Sequence, residues 1–346
     1  MFEKLKQLRL DGTIVVLPDF FLDRILKINS KDELFKMIDS KTTIGGGSIR
    51  GVSTFDIKGG NAVNVAYCLA KMGLSVTLFT VADNIGTSIL QSIFSKFGNS
   101  VNLLVKNGKH GSTTSFEFHD SKETYANVMM SDIGDNKNFG PEMFSPPTDL
   151  EIINSAKGVV LTNWGSNLKG TELAHYLFNN SPKAFHFLDP ADIETRKEEF
   201  KDTLKNLSSL LDVLSINENE CTSLLKACNL DSRVSLDLND IENVKKVVKT
   251  LSSEFGLKID LHTRIGAAWS DGEEVLFVNS FYTVPKKLTG SGDCWDAADI
   301  VGYFAGLDAT ERLLFSNAYA SLYVGSTEFE PPSIAEALDL VRDNYE

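Results

Sequence analysis

Four cysteines in 346 residues, Cys68, Cys221, Cys228 and Cys294, form no CxxC pair, and the five histidines show no HExxH or finger spacing. Neither a disulfide framework nor a zinc site is supported. Long apolar runs are also missing. VVL and GVVL fall far short of the roughly 20 residues that span a bilayer, and the opening MFEKLKQLRL is too polar for a signal peptide. The expectation is a cytoplasmic protein that does not engage a membrane. Positive charge is in deficit, with 34 Lys+Arg against 47 Asp+Glu and a formal net charge of −13, which argues against a nucleic-acid partner. No GxGxxG follows the first strand, where LPDFFLD stands instead, and no acidic residue is spaced to read a ribose. A dinucleotide-dependent oxidoreductase is therefore disfavoured. GGGS at 45–48 lacks the Lys-Ser/Thr pair that closes a nucleotide loop and reads as a turn.

What is present is a chain long enough for one large α/β domain with an appended subdomain, 42% of it apolar. Short β-branched runs alternate with segments of helical period: TIVVL (13–17), SVTLFT (75–80), GVVLT (158–162), AFHFL (184–188), DVLSI (212–216) and KIDLH (258–262). Several are apolar in succession, as strands covered on both faces are, so an open doubly wound sheet is expected. Residues 26–52 and 104–130 break the rhythm with polar–apolar alternation and read as a small β lid. That leaves 1–25, 53–103 and 131–346 as the core. In the second insertion Phe116 and Phe118, at spacing two, read as the buried face of a lid strand.

Ligands of open α/β sheets bind beyond the carboxyl ends of the strands. The residues following the strands are polar: Asn163, Asp189, Asn217, His262 and Thr263. Turn formation and helix capping explain any one of them; together they mark the edge where a ligand sits. TGSGDCWDAADIVGYFAGL (289–307) sets Gly290, Ser291 and Gly292 before a helix apolar on nearly every side. The N–H groups that open such a helix form a concave donor set for an anion, with Asp293 in the first turn beside it. DIKGGNAVNVAYCLAKMG (56–73) joins the Gly59–Gly60 turn to a helix carrying Asn61 and Asn64, amides suited to a polyhydroxylated ligand.

In this order along the chain, GGNAVNVAYCLAKMG, VADNIG, SINENE and TGSGDCWDAADIVGYF resemble the pfkB carbohydrate kinases, the ribokinase-like kinases. The resemblance implies a three-layer α/β/α core with a mostly parallel sheet and a small β-sheet lid. It implies transfer of a phosphoryl group from a nucleotide, ATP by the family's pattern, to a substrate hydroxyl, with Asp293 as general base and the Gly290–Asp293 backbone as anion hole. Asp23 in PDFFLD takes the place of the family's substrate-binding aspartate, beside Gly59, Gly60, Asn61 and Asn64. Asn217 and Glu220 take the place of the Asn-x-x-Glu element that helps hold Mg²⁺. Nucleotide contacts are expected from Asn217, Asp189, Thr263, Arg264, Gly266 and Asn317. The two lids of a homodimer would pair, as in several relatives.

Two departures from that pattern stand out. Lys287 and Leu288 occupy positions where the family's second signature opens with aspartate and threonine, so the lysine ammonium either substitutes for a monovalent cation or abolishes its site. HTRIGAAWS (262–270) holds only Gly266 of the family's Thr-x-Gly-x-x-Gly, with Arg264 as a source of charge. The acceptor is expected to be a sugar or polyol, with a nucleoside as the alternative. A sugar phosphate is disfavoured by the lack of a cluster of lid arginines, with Arg50 and Lys58 the basic residues that leave room for one. A non-catalytic sensor is a rival reading, against which Gly290, Gly292 and Asp293 are all intact.

Overall fold

In this computed structural model the chain is described over residues 1–119 and 125–345. Its strands are β1 (Ile14–Leu17), β2 (Phe21–Ile28), β3 (Ser53–Gly59), β4 (Val76–Ala82), β5 (Val101–Asn107), β6 (Gly111–His119), β7 (Tyr125–Asp132), β8 (Gly158–Thr162), β9 (Phe185–Asp189), β10 (Val213–Asn217), β11 (Lys258–His262), β12 (Gly266–Ser270) and β13 (Val275–Asn279). Among the described residues nine of these form one sheet in the order β13-β12-β11-β10-β9-β8-β1-β4-β5. It is parallel from β11 through β5, with β12 and β13 antiparallel at one edge. The six strand runs read from the sequence all fall in this sheet.

Each central strand is buried on both faces and divides its residues between two cores. Val15, Leu17, Val159, Leu161, Leu188 and Leu214 pack into one, and Ile14, Val16, Val160, Phe187 and Val213 into the other. This is the alternation that a helix-covered parallel strand requires, and it makes the three layers. Strand order turns around at β1, which lies between β4 and β8, so the crevice beyond the carboxyl ends of β1 and β8 is the topological switch point. No helix among the described residues is long and apolar enough to cross a membrane.

The lid is a four-stranded sheet, β3-β2-β6-β7, and its boundaries differ from those read in the sequence. Its first pair, β2 and β3, lies largely in segments assigned to the core, while residues 26–52 are mostly the helix Lys31–Thr42 and the turns after it. Polar–apolar alternation fits β2 as well as β3; the amphipathic run KDELFKMIDSKT, capped by Ser30, separates them. In the second insertion, 104–130, residues 120–124 lie outside the described residues. The faces of β6 also correct the reading of its phenylalanines. Thr113, Ser115 and Glu117 are buried, whereas Phe116 and Phe118 are half-buried. The buried face of this strand is the polar one, in register with Asp23 through Thr113. Leu26, Phe116 and Val128 form a cross-strand row on the opposite face, with Val128 52% exposed.

Candidate active site

Asp19, two residues past β1, sits at the switch point and organises it. Its carboxylate accepts the N–H groups of Asn61 at 2.8 Å and Ala62 at 3.0 Å, capping the helix Asn61–Lys71. It also accepts the Thr162 hydroxyl at 2.9 Å and the Asn163 amide at 3.1 Å from the end of β8. A carboxylate at a helix start is favoured by the orphan N–H groups and the helix dipole. Gly60 allows this approach. Its φ is +92°, and a Cβ there would meet the Asp19 carbonyl oxygen at 2.7 Å and Phe20 Cα at 2.9 Å, both backbone. The Asp23 carboxylate from β2 lies across Gly59, where a Cβ would be 2.1 Å from its Oδ2. Burial raises that carboxyl to about 6, while the Thr113 hydroxyl favours the ionised form, and its Oδ1 has no partner among the described residues.

From the other side of the crevice comes the helix Ser291–Phe304, entered through Gly290 at φ +81°. The Ser291 N–H donates to the Leu288 carbonyl at 3.1 Å. The N–H groups of Gly290, Gly292 and Asp293 have no protein partner among the described residues, so the expected donor set loses Ser291, and Gly292 and Asp293 are its helical members. Asp293 Oδ2 accepts from Asn64 Nδ2 at 2.8 Å, and Asn64 Oδ1 accepts from Lys58 Nζ at 2.9 Å. Both ends of the Asn64 amide are thus engaged within the protein. Burial, then the negative charge of Asp189, pushes the Asp293 carboxyl up to about 8; the Asn64 hydrogen bond and Lys58 act in the opposite direction.

A cavity of about 560 Å³ opens here, lined by Asn61, Asp189, Asn217, Glu220, His262, Gly290, Gly292 and Asp293 together with residues 191–194, 219–223 and 226 in part. Asp189 accepts the Ala191 N–H at 2.9 Å and the Asn61 amide at 3.4 Å, and burial raises its carboxyl above the usual range. Asn217 and Glu220 form a reciprocal capping box. Asn217 Oδ1 accepts the N–H groups of Asn219 and Glu220, and the Glu220 carboxylate accepts the Asn217 N–H and Nδ2, both at 2.7 Å. His262 closes the wall beside Gly292, tilted over Trp295 at a ring separation of 5.1 Å. Burial lowers its imidazole to about 4, so it is neutral at physiological pH.

Four expected nucleotide contacts are not brought to this cavity. Thr263 turns its hydroxyl back to the Gly266 carbonyl at 2.8 Å, and Gly266 packs against the Val278 carbonyl of β13. The Arg264 side chain is 88% exposed, near Glu218. Asn317 is buried in the helix Ala309–Gly325, accepting from Trp295 Nε1 at 2.8 Å and donating to the Val278 and Asn279 carbonyls. Its amide is fully used inside the core. Conversely, reading the sequence missed Asp19, and it weighed Lys58 only as lid charge for a sugar phosphate, not as the partner of Asn64. Asp19 belongs to the same PDFFLD run as Asp23, so the signal was a second carboxylate after β1.

Lys287, three residues before Gly290, is buried. Its ammonium donates to the carbonyls of Ser326, at 2.8 Å, and Glu328. The Tyr323 and Phe329 rings lie 4.0 and 5.3 Å away. A fixed cation thus ties the approach to the donor set to the segment 326–329.

The pfkB family carbohydrate kinase model matches residues 42–334. No curated protein sequence matches the chain. Solved structures of the same fold include the ribokinase of Arabidopsis thaliana complexed with ribose and ATP, 20% identical with a TM-score of 0.72, covering 96% of this chain and 99% of that one. The ribokinase of Thermotoga maritima is 18% identical with a TM-score of 0.70 over 96% and 100% of the two chains. The adenosine kinase of Sinorhizobium meliloti is 15% identical with a TM-score of 0.72 over 96% and 99%. The match over residues 42–334, on a core and lid of this architecture, makes the chain a member of the pfkB family of carbohydrate kinases.

Proposed function

We propose that this kinase transfers the terminal phosphoryl group of ATP to a hydroxyl of a sugar or polyol in the cytoplasm, with Asp293 taking the hydroxyl proton. The observation that carries the reading is the shared cavity. Asp293 and Gly292 both line it, so a carboxylate and two partnerless N–H groups at the start of a buried helix lie within one turn of each other in its wall. Phosphoryl transfer needs positioning and stabilisation of developing charge more than covalent chemistry, and a helix-terminal donor pair supplies both. The anionic phosphoryl group would meet the Gly292 and Asp293 N–H groups, while the attacking hydroxyl would lie against Asp293, with Asp23 and Asn61 toward the rest of the acceptor. An acceptor rich in hydroxyls fits a polar, carboxylate-lined wall. The Arabidopsis neighbour, complexed with ribose and ATP, supports that pair of ligands.

Magnesium fits this wall through its water shell. Among the described residues no three His, Cys, Asp or Glu side chains are grouped to hold a metal, and both Glu220 oxygens already bond Asn217. Hard oxygens nevertheless face the cavity from Asp189, Glu220 and Asn217, and burial with the charge of Asp189 raises the Glu220 carboxyl well above its usual range. A hydrated cation arriving with the nucleotide would relieve that excess of negative charge. When bound, Mg²⁺ neutralises charge on the phosphates; Asn217 and Glu220 would orient its waters.

The test is ATP turnover against a panel of sugars, polyols, inositols and nucleosides, with release of ADP coupled to a readout and NAD⁺ reduction as a control. Phosphorylation of a sugar or polyol is expected. A nucleoside as the sole acceptor would move the assignment to the alternative that the adenosine kinase neighbour represents, and binding without turnover would make the chain a sensor. The half-exposed apolar face of the lid around Leu26, Phe116 and Val128 is read as the seat of a second copy, and gel filtration at micromolar concentration should show a dimer.

Lys287 supports substitution of the lysine ammonium for a monovalent cation. Turnover should be unchanged by added K⁺. Lys287→Met should lower it by on the order of 10-fold or more, because a charged donor to two carbonyls is lost. Strong stimulation of the unmodified enzyme by K⁺ would overturn this role.

A further inference from the structure

Lys58 is the penultimate residue of β3, an edge strand of the lid sheet, yet its ammonium reaches the core. It donates to Asn64 Oδ1 at 2.9 Å and lies 4.4 Å from the centre of the Tyr67 ring. The Tyr67 hydroxyl donates to Glu330 at 2.6 Å, so the ring is itself fixed. An ammonium has only donors, so it must face the oxygen end of the Asn64 amide. The nitrogen end then has one direction left, and there it meets Asp293 Oδ2 at 2.8 Å. Without Lys58 only Asp293 itself would orient the amide, and a protonated carboxyl can pair with either end of it, donating to the oxygen or accepting from the nitrogen.

We infer that Lys58 and Asn64 form a positioning relay through which the lid sheet aims the carboxylate of Asp293 and favours its ionised form. The inference rests on the reading of Asp293 as the general base and adds a residue from outside the cavity to its control. The relay matters because most of what surrounds Asp293 works against its charge. Asp19 stands beyond β1, Asp189 at the end of β9, and Asp296 one turn along the same helix; all three are acidic and act on this cluster. Cys68 and Cys294 are buried thiols at a sulfur separation of 3.6 Å, His262 at the end of β11 is neutral, and Tyr323 from the helix Ala309–Gly325 is an un-ionised phenol. Lys58 is the cation that lowers Asp293, and it acts in the same sense on Asp23 and Cys294. Lys287 is close enough to feel it as a like charge, but its ammonium is turned to carbonyls on the other side.

Removing Lys58 takes away a positive charge and frees the amide, and both changes disfavour the ionised carboxylate. The proton affinity of Asp293 must rise. In Lys58→Met the acid limb of the kcat–pH profile should therefore move up by about one unit, lowering turnover at neutral pH by about tenfold and recovering on the alkaline side. Lys58→Arg, which restores a cationic donor, should bring the limb back toward its original position. A second readout needs no acceptor. The infrared band of the protonated Asp293 carboxyl, identified by its loss in Asp293→Asn, should titrate at higher pH in Lys58→Met than in the unmodified chain. An unmoved band, or a kcat lowered equally at every pH, overturns the relay. Should Lys58→Met fail to fold, Lys58→Ala carries the same test. If no acceptor is phosphorylated by the unmodified enzyme, the phosphotransfer reading fails while the infrared titration still decides the relay.

Discussion

Asp293→Asn should abolish most turnover, a loss on the order of 10²- to 10⁴-fold, while leaving the fold intact. Asparagine keeps the size of the side chain and one oxygen to accept the Asn64 amide that now bonds Asp293 at 2.8 Å. It cannot take a proton from an alcohol. The stability of the variant distinguishes this from general damage. The Asp293 carboxyl titrates near 8 in the folded chain because burial and Asp189 disfavour its charge, against about 3.9 for an unfolded aspartate. A group raised on folding contributes stability that is fully present below about pH 4 and is lost as pH rises toward 8. The asparagine variant has no such term. Its melting temperature should therefore fall less than that of the unmodified chain between pH 4 and 8. Activity above about a tenth of the original would show that another group takes the proton.

How the carboxylate came to be readable in the sequence, while much around it was not, has a physical explanation. Gly290, Ser291 and Gly292 before an apolar helix announce a helix start that must be buried and must find something for its N–H groups, and all of that is local. The runs TIVVL, GVVLT and KIDLH were legible for a similar reason. A strand covered on both faces is apolar in succession, whatever its neighbours. Edge and lid strands carry no such mark. VNLLVKN of β5 and GAAWS of β12 are interrupted by polar or small residues, and the lid strands β2 and β3 are separated by a helix that hid their pairing. Asn217 and Glu220 show the limits of a motif. Asn-x-x-Glu reads equally as a capping box or as metal-handling residues, and the hydrogen bonds show the box while the cavity wall admits the second role.

Contacts between distant segments were not legible at all. Asn317 looked available because a helical asparagine carries no record of its partners; backbone carbonyls at the end of β13 took both its protons. Lys58 gave no sign of reaching Asn64 or, through it, a residue 229 positions from Asn64. The sequence pattern places residues on faces, but which polar groups meet across the interior depends on packing. Buried charge is where this matters most for stability.

The helix that carries Asp293 in its first turn is anchored about two turns further on by such a charge. Asp299 and Asp260 of β11, both fully buried, flank Arg312. Its guanidinium bonds Asp299 and, at 3.0 Å, Asp260, and lies 3.8 Å from the centre of the Tyr303 ring, whose hydroxyl also bonds Asp260. Desolvation of three charges makes the cluster a poor source of net stability compared with an apolar core, yet removing its one cation leaves two carboxylates without compensation. Arg312→Met should therefore destabilise the chain by roughly 3–5 kcal/mol at neutral pH, read from denaturant unfolding. Burial already raises both carboxyls, and without the guanidinium they should rise further. The loss should consequently shrink as pH falls below the range in which an unfolded aspartate ionises, about 3.9, and should grow as pH increases. Adding Asp260→Asn and Asp299→Asn to Arg312→Met should recover much of the stability at pH 7, since what the single variant suffers from is stranded charge and not lost volume. If the single variant were equally unstable at all pH values, or the triple variant no better than the single, packing of the arginine stem against Gly302 and Tyr303 would be the main contribution and the ion cluster a minor one.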